Sequence, residues 1–222
     1  MGNGRPAGRA SSAIAFQPTT GRAVLFGGSS QSGQDLGDTF EFDGHGWIHR
    51  TPTTSPSPRR GHSMAFDPAT KRVVLWGGQT AIGNSLTDTW AWDGLNWTQI
   101  PVASPPAAAT WSAMTHHGGT NPGLLLVTMD ATGTSRTYLW TGSSWSPQNL
   151  GGGPFTGGFA LAHVPMNGHT YLQGGSGGEL YNWNGSQWSL VTQMGTPGNL
   201  TGQSLVWSHN TSKLMVVGGT TP

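Results

Sequence analysis

D-T-W-A-W-D-G-L-N-W, residues 88–97, recurs as D-T-F-E-F-D-G-H-G-W (38–47), R-T-Y-L-W-T-G-S-S-W (136–145) and E-L-Y-N-W-N-G-S-Q-W (179–188). The closing tryptophans Trp47, Trp97, Trp145 and Trp188 stand 50, 48 and 43 residues apart. That period fits one supersecondary unit per repeat. The second copy reads most clearly when the preceding chain is included: G-H-S-M-A-F-D (61–67), a D-P-A-T turn, K-R-V-V-L-W-G-G (71–78), a loop, D-T-W-A-W-D-G (88–94) and N-W-T-Q-I (96–100). These are four short strands. Asp67-Pro68 and Asp93-Gly94 carry tight-turn chemistry: proline fixes φ, glycine accepts positive φ, and each aspartate can bond back to the local backbone.

The first repeat matches strand for strand at an offset of 50, through S-S-A-I-A-F (11–16), R-A-V-L-F-G-G (22–28) and the 38–47 block. Later copies drift. The fourth keeps F-A-L-A-H-V-P (159–165) and H-T-Y-L-Q-G-G (169–175), whereas the third has V-T-M-D (127–130) in place of the diglycine and a reworked first turn, H-H-G-G-T-N-P-G (116–123). A fifth unit opens with Q-S-L-V-W-S (203–208) and K-L-M-V-V-G-G (213–219).

Composition agrees with an all-β chain: 36 Gly and 15 Pro interrupt helices, and 11 Trp suit pleated, half-buried surfaces. The even run of repeats offers no linker, so one domain spanning 1–222 is expected, with blades near 5–50, 58–100, 106–148, 154–191 and a half blade at 198–222. A net charge of +1 gives little attraction for a phosphate backbone, and nucleic acid is not an expected partner. The absence of cysteine removes disulfides, thiolate metal sites and thiol nucleophiles. No run of 18 apolar residues marks a membrane insertion, and the first ten residues lack the apolar core of a secretory signal. Charge is uneven, with fifteen charged side chains in 1–100 and four in 101–222; the bland second half suits an extracytoplasmic setting. Asn96, Asn184, Asn199 and Asn210 begin Asn-x-Ser/Thr triplets, which chance explains in so Ser/Thr-rich a chain.

A strand ending in Gly-Gly, a later aromatic and a closing tryptophan together resemble the Kelch repeat, the family that includes the central domain of galactose oxidase. Here the diglycines are Gly27-Gly28, Gly77-Gly78, Gly174-Gly175 and Gly218-Gly219, and the aromatics are Phe40, Trp90, Tyr138 and Tyr181. The resemblance implies a β-propeller of four complete four-stranded blades plus a two-stranded half blade, with the first strand of each blade lining a central channel. Physical reasoning points the same way, because a thin sheet with apolar residues on both faces has to stack against neighbours. The tryptophans are the expected wedges between blades, and the glycines the expected structural positions. Four and a half blades leave three arrangements open: a piece of a longer propeller, a five-bladed ring with a two-stranded last blade, or closure by self-association.

Propeller geometry puts the loops between strands two and three on the same side as the inter-blade segments, here 29–36, 79–86, 51–60 and 101–110. Such loops carry recognition. Arg9, Arg59 and Arg60, with Gln34, Gln79 and Asn84, are the candidate ligand-binding residues, since arginines can hold a carboxylate or sulfate bidentately. Arg59→Ala is expected to weaken binding without lowering the melting temperature. His116, His117, His169 and His209 fall near the first turns of successive blades, but turns about 10 Å apart do not converge on one ion, so no metal and no cofactor is expected. The resemblance implies that His62 is structural. The galactose oxidase cofactor needs a cysteine crosslinked to tyrosine, which this chain lacks. The expected activity is a non-catalytic module that binds a protein or glycan through its long-loop face. The alternative is a carbohydrate-active enzyme of the sugar isomerase or mutarotase type, using the channel mouth.

Overall fold

The computed structural model describes residues 4–119, 121–148, 158–174, 178–191 and 201–220. Gly175 and Asn199 lie outside them. The fold is all-β, with four blades and a further two-stranded sheet. Blade one holds β1 (Arg9–Ala10), β2 (Ala13–Gln17), β3 (Arg22–Ser30), β4 (Asp35–Phe42) and β5 (Trp47–Arg50). Here β1 and β2 share one edge of β3 and are separated at Ser11, which takes φ 54°. Blade two is β6 (Ser63–Asp67), β7 (Arg72–Trp76), β8 (Thr89–Trp92) and β9 (Trp97–Ile100); blade three is β10 (Trp111–His117), β11 (Gly123–Met129), β12 (Ser135–Trp140) and β13 (Trp145–Gln148). Blade four is β14 (Phe159–Val164), β15 (His169–Gly174), β16 (Leu180–Trp183) and β17 (Trp188–Leu190), and β18 (Thr201–Ser208) with β19 (Lys213–Thr220) forms the last hairpin. Each blade is an antiparallel meander.

The turns explain the meander. Between third and fourth strands, Asp43 accepts from the amides of His45 and Gly46, Asp93 from Leu95 and Asn96, and Asn184 from Ser186 and Gln187. Thr141 does the same for Ser144 with its hydroxyl. The next residue in every copy is a glycine, Gly44, Gly94, Gly142 or Gly185, at φ 93–105°, a region closed to most side chains.

The chain forms two compact units. One comprises residues up to Thr110 with Thr141–Trp145; the other comprises Trp111–Trp140 with the chain from Ser146 onward. In the first unit, pairing register separates two faces of blade one. Ala15, Val24 and Glu41 stand side by side on the face toward blade two, as do Ala13, Phe26 and Thr39. Blade two answers with Met64, Leu75, Val73, Trp92 and Trp97, giving one core with Ala15, Val24 and Phe26. Polar contacts fix the alignment. The Trp97 indole N–H donates to Thr39 Oγ1 at 3.0 Å, and Trp92 Nε1 donates to the buried Glu41 carboxylate at 3.1 Å. Trp145 repeats the first contact on Thr89, also at 3.0 Å.

The second unit uses the same construction. Val127 and Met129 pack against Phe159, Leu172 and Tyr181, and Trp188 Nε1 donates to Thr137 Oγ1 at 3.0 Å. Ala160 and Ala162 then pack on Leu205 of the terminal hairpin. Position Glu41 is Ala91, Leu139 and Asn182 in the later blades, so the second indole contact is particular to blade one. Trp183, packed on Leu139, keeps a buried Nε1 with no hydrogen-bond acceptor.

Thr39→Val keeps shape but strands the buried Trp97 N–H, and is expected to cost about 1–3 kcal/mol. In a Trp97→Phe background the same change is expected to cost nothing further. Urea denaturation of the four proteins checks this as a double-mutant cycle.

Candidate functional site

The loops between second and third strands have a common frame. In the first, the Ser30 amide donates to Gln34 O, the Gly33 amide to Ser30 O and the Gln34 amide to Ser30 Oγ, at 2.8–3.2 Å. Thr80, Gly83 and Asn84 repeat all three contacts. In the second unit Asp130, Gly133 and Thr134 do so again, with a carboxylate oxygen in place of the hydroxyl. The Asp130 carboxyl is held well below the usual carboxylate range by the Thr132 hydroxyl and then by Arg136. Glycine is needed at the fourth position of the turn, where φ is 79°, 86° and 82°. The tips differ: Gln31-Ser32, Ala81-Ile82 and Ala131-Thr132. Ile82 is 84% exposed. The side chains of Gln34 and Asn84 are also exposed, while their backbones close the turns.

Arg9 and Arg59 take equivalent places, but inside the blades. Arg59 is fully buried. Its Nη1 donates to Asp88 at 2.6 Å and to Gly77 O at 3.0 Å, its Nη2 to the other Asp88 oxygen at 2.8 Å, and its Nε to Ser57 O. Arg9 makes the matching contacts with Asp38, Gly27 O and Ala7 O, and lies over the Phe40 ring. Burial alone would raise the Asp88 carboxyl, but hydrogen bonds from Arg59 and Trp90 outweigh it and hold it below its ordinary range. Both guanidinium groups are committed to their own blade's carboxylate. The expectation that Arg59 can be removed without loss of stability therefore gives way to an architectural role.

The clamp accounts for the diglycine. The chain entering blades one and two crosses the end of the second strand, so a Cβ on Gly28 would lie 2.8 Å from Ala10 O and one on Gly78 2.8 Å from Arg60 O. Both residues also have positive φ, 101° and 95°. In blade three Ala109, Thr128 and Arg136 replace the arginine, first glycine and acid together, and β10 instead pairs without interruption to Met129. His62 follows the crossing. It is buried edge-on to Phe26 at 5.5 Å, and burial, followed by the positive charge of Arg59, lowers its pKa to about 3.

The other sequence candidates stay near the surface. The Arg60 guanidinium lies 3.7 Å from Asp35, and the Arg60 and Gln79 backbones exchange two hydrogen bonds. A cavity of about 290 Å³ in the first unit is lined by Thr87, Asp88, Gln99, Ile100, Val102 and Pro105. Asp88 thus serves both the clamp and the cavity, a double placement that its repeating position concealed.

In the second unit the first turns gather histidines more closely than strand spacing predicts. His163, unmarked in the sequence, lies with its ring 5.6 Å from His116 and 5.9 Å from His117. His117 and His163 both meet the Thr170 hydroxyl, at 3.0 and 3.3 Å. Burial, then His116 and His117, lowers the His163 pKa to about 4. His169 meets Asn182 instead. Among the described residues no group of three or more His, Cys, Asp or Glu is arranged to hold a metal ion.

No protein-family model matches the chain, and no curated protein matches it. Among solved structures, the one described as "Structure of YjhT" is similar, with a TM-score of 0.68 at 14% identity, covering 96% of this chain and 73% of that one. The likeness is one of fold, and the fold is a β-propeller.

Arg59→Ala is expected to destabilise by about 3 kcal/mol, because it leaves Asp88 partly buried without its counter-ion. Ile82→Ser, at an exposed tip, is expected to stay within about 0.5 kcal/mol of the parent. Thermal unfolding of both variants checks the contrast.

Proposed function

We propose that this chain is a Kelch-type β-propeller that works as a non-catalytic binding module for a protein or glycan, recognising it with the loops between second and third strands of its first two blades. The observation that carries this reading is a fixed frame with changing tips. Ser30–Gln34 and Thr80–Asn84 close through the same three hydrogen bonds, while their tip residues share neither size nor polarity. A rigid scaffold bearing variable surface residues is how loop-based recognition is built. Kelch membership is supported by the diglycine crossing and the closing tryptophans, two unrelated features that recur at one period.

A binding role also suits the chemistry of the acids. Asp38 and Asp88 are neutralised by bidentate arginines, and Glu41 accepts from Arg22, Arg50 and Trp92. Carboxylates whose oxygens are already taken up in this way are tied to the scaffold. Arg60, Gln34, Gln79 and Asn84 remain the polar groups proposed to meet a ligand, with Ile82 as an apolar anchor.

A glycan array and a protein-capture screen identify ligands, and NMR of each glycan hit over time tests turnover. Ile82→Ser and Asn84→Ala are each expected to weaken binding about 5- to 30-fold, the range of a 1–2 kcal/mol contact, with unchanged melting temperature. Conversion of any bound sugar, or affinity indifferent to every tip variant, would overturn the reading.

A further inference from the structure

We propose that the cavity of about 290 Å³ beside Asp88 is a subsite for one neutral sugar residue. The inference rests on the glycan side of the reading above and seats that ligand apart from the loop tips. Thr87 and Asp88 precede β8, Gln99 and Ile100 end β9, and Val102 and Pro105 come from the segment that follows. All of them belong to the first unit.

Blade one shows why the space is open in blade two. At the offset of 50, Thr87 stands for Gly37, and Ala108 and Ala109 stand for Pro58 and Arg59. In the first copy the corner is filled. A Cβ on Gly37 would lie 3.0 Å from Pro58 Cγ, and one on Gly27 would lie 2.6 Å from Arg59 O. In the second copy a Cβ on Gly77 would meet only Leu86 O, at 3.3 Å, among the described residues. Two alanines therefore leave open the corner that a proline and an arginine close in blade one. The volume left lies near the lower end of small-molecule sites, about 300 Å³, which suits a single ring.

The polar groups select the ligand. Asp88 Oδ1 accepts from Arg59 Nη1, and Oδ2 accepts from Arg59 Nη2 and Trp90 Nε1. A carboxylate offers about four acceptor directions, so one remains, on a side chain that is 23% exposed. Arg59 balances the charge of Asp88, so an ammonium gains little there, and an anion would face a carboxylate. A neutral hydroxyl donor suits the remaining direction. The Thr87 hydroxyl and the Gln99 carboxamide each donate and accept, as neighbouring hydroxyls on a sugar ring require. Ile100, Val102 and Pro105 supply apolar surface for the ring's C–H side.

The test is an NMR titration of the full 222-residue chain with D-glucose, D-galactose, D-mannose and N-acetyl-D-glucosamine. At least one is expected to shift the Ile100 and Val102 methyls and the Trp90 indole N–H saturably, with a Kd on the order of 1 mM. Thr87→Val and Gln99→Ala, which leave the Arg59–Asp88 clamp intact, should each weaken this binding about 3- to 10-fold. Val102→Phe should abolish it by filling the space, and all three variants should keep the parent's melting temperature. Equal binding of the methyl glycoside identifies a chain-linked residue as the ligand, and its loss identifies the free sugar. Ile82→Ser and Asn84→Ala, at the loop tips, should leave the titration unchanged. Absence of cavity shifts with every neutral sugar would overturn the proposal, as would tighter binding of glucosamine or glucuronate. Sugar-induced shifts confined to the loop tips would overturn it too, while leaving the binding-module reading in place.

Discussion

Indole N–H groups bonded to threonine hydroxyls set the spacing of the blades. Trp97 on Thr39, Trp145 on Thr89 and Trp188 on Thr137 all meet at 3.0 Å. A buried N–H without an acceptor costs more than the bond itself contributes, so sliding one blade along its neighbour is penalised even where apolar contacts would tolerate it. Hydrophobic burial supplies most of the stabilisation, while the indole selects one register. The tryptophan serves both purposes because its ring is large and its polar atom lies at the edge.

A second constraint acts within the blade. The segment entering blades one and two passes over the diglycine, and an arginine on that segment grips the first glycine's carbonyl and the acid opening the third strand. Space, carbonyl direction and charge all have to agree. Their joint replacement in blade three, with an uninterrupted β10–β11 pairing in their place, indicates a single device rather than three independent preferences. The loops above that device are short closed turns, so variation at their tips leaves the sheet below undisturbed.

The blades were legible because aromatic spacing, Asx-Gly turns and the closing tryptophan follow from pleat and turn geometry, which act over a few residues. The arginines were not. Arg9–Asp38 and Arg59–Asp88 pair across 29 residues, and only that identical separation, Arg to Asp in both repeats, hinted at partnership. The common loop frame was hidden by its first residue, which is Ser, Thr or Asp by turns; what persists is an oxygen-bearing side chain three positions before a glycine. His163 went unmarked because it lies inside a strand at the place held by Phe16 and Phe66, where the repeat predicts an apolar residue.

Trp47 isolates the role of the threonine contact, since it holds the repeat position but makes no indole hydrogen bond among the described residues. Its ring meets those of its own blade's Phe40 and Phe42. Hydrogen exchange of the indole N–H groups, followed by NMR, separates it from the others. Slow exchange at Trp97 and Trp145 with rapid exchange at Trp47 is the outcome this account requires, and equal rates at all three would contradict it.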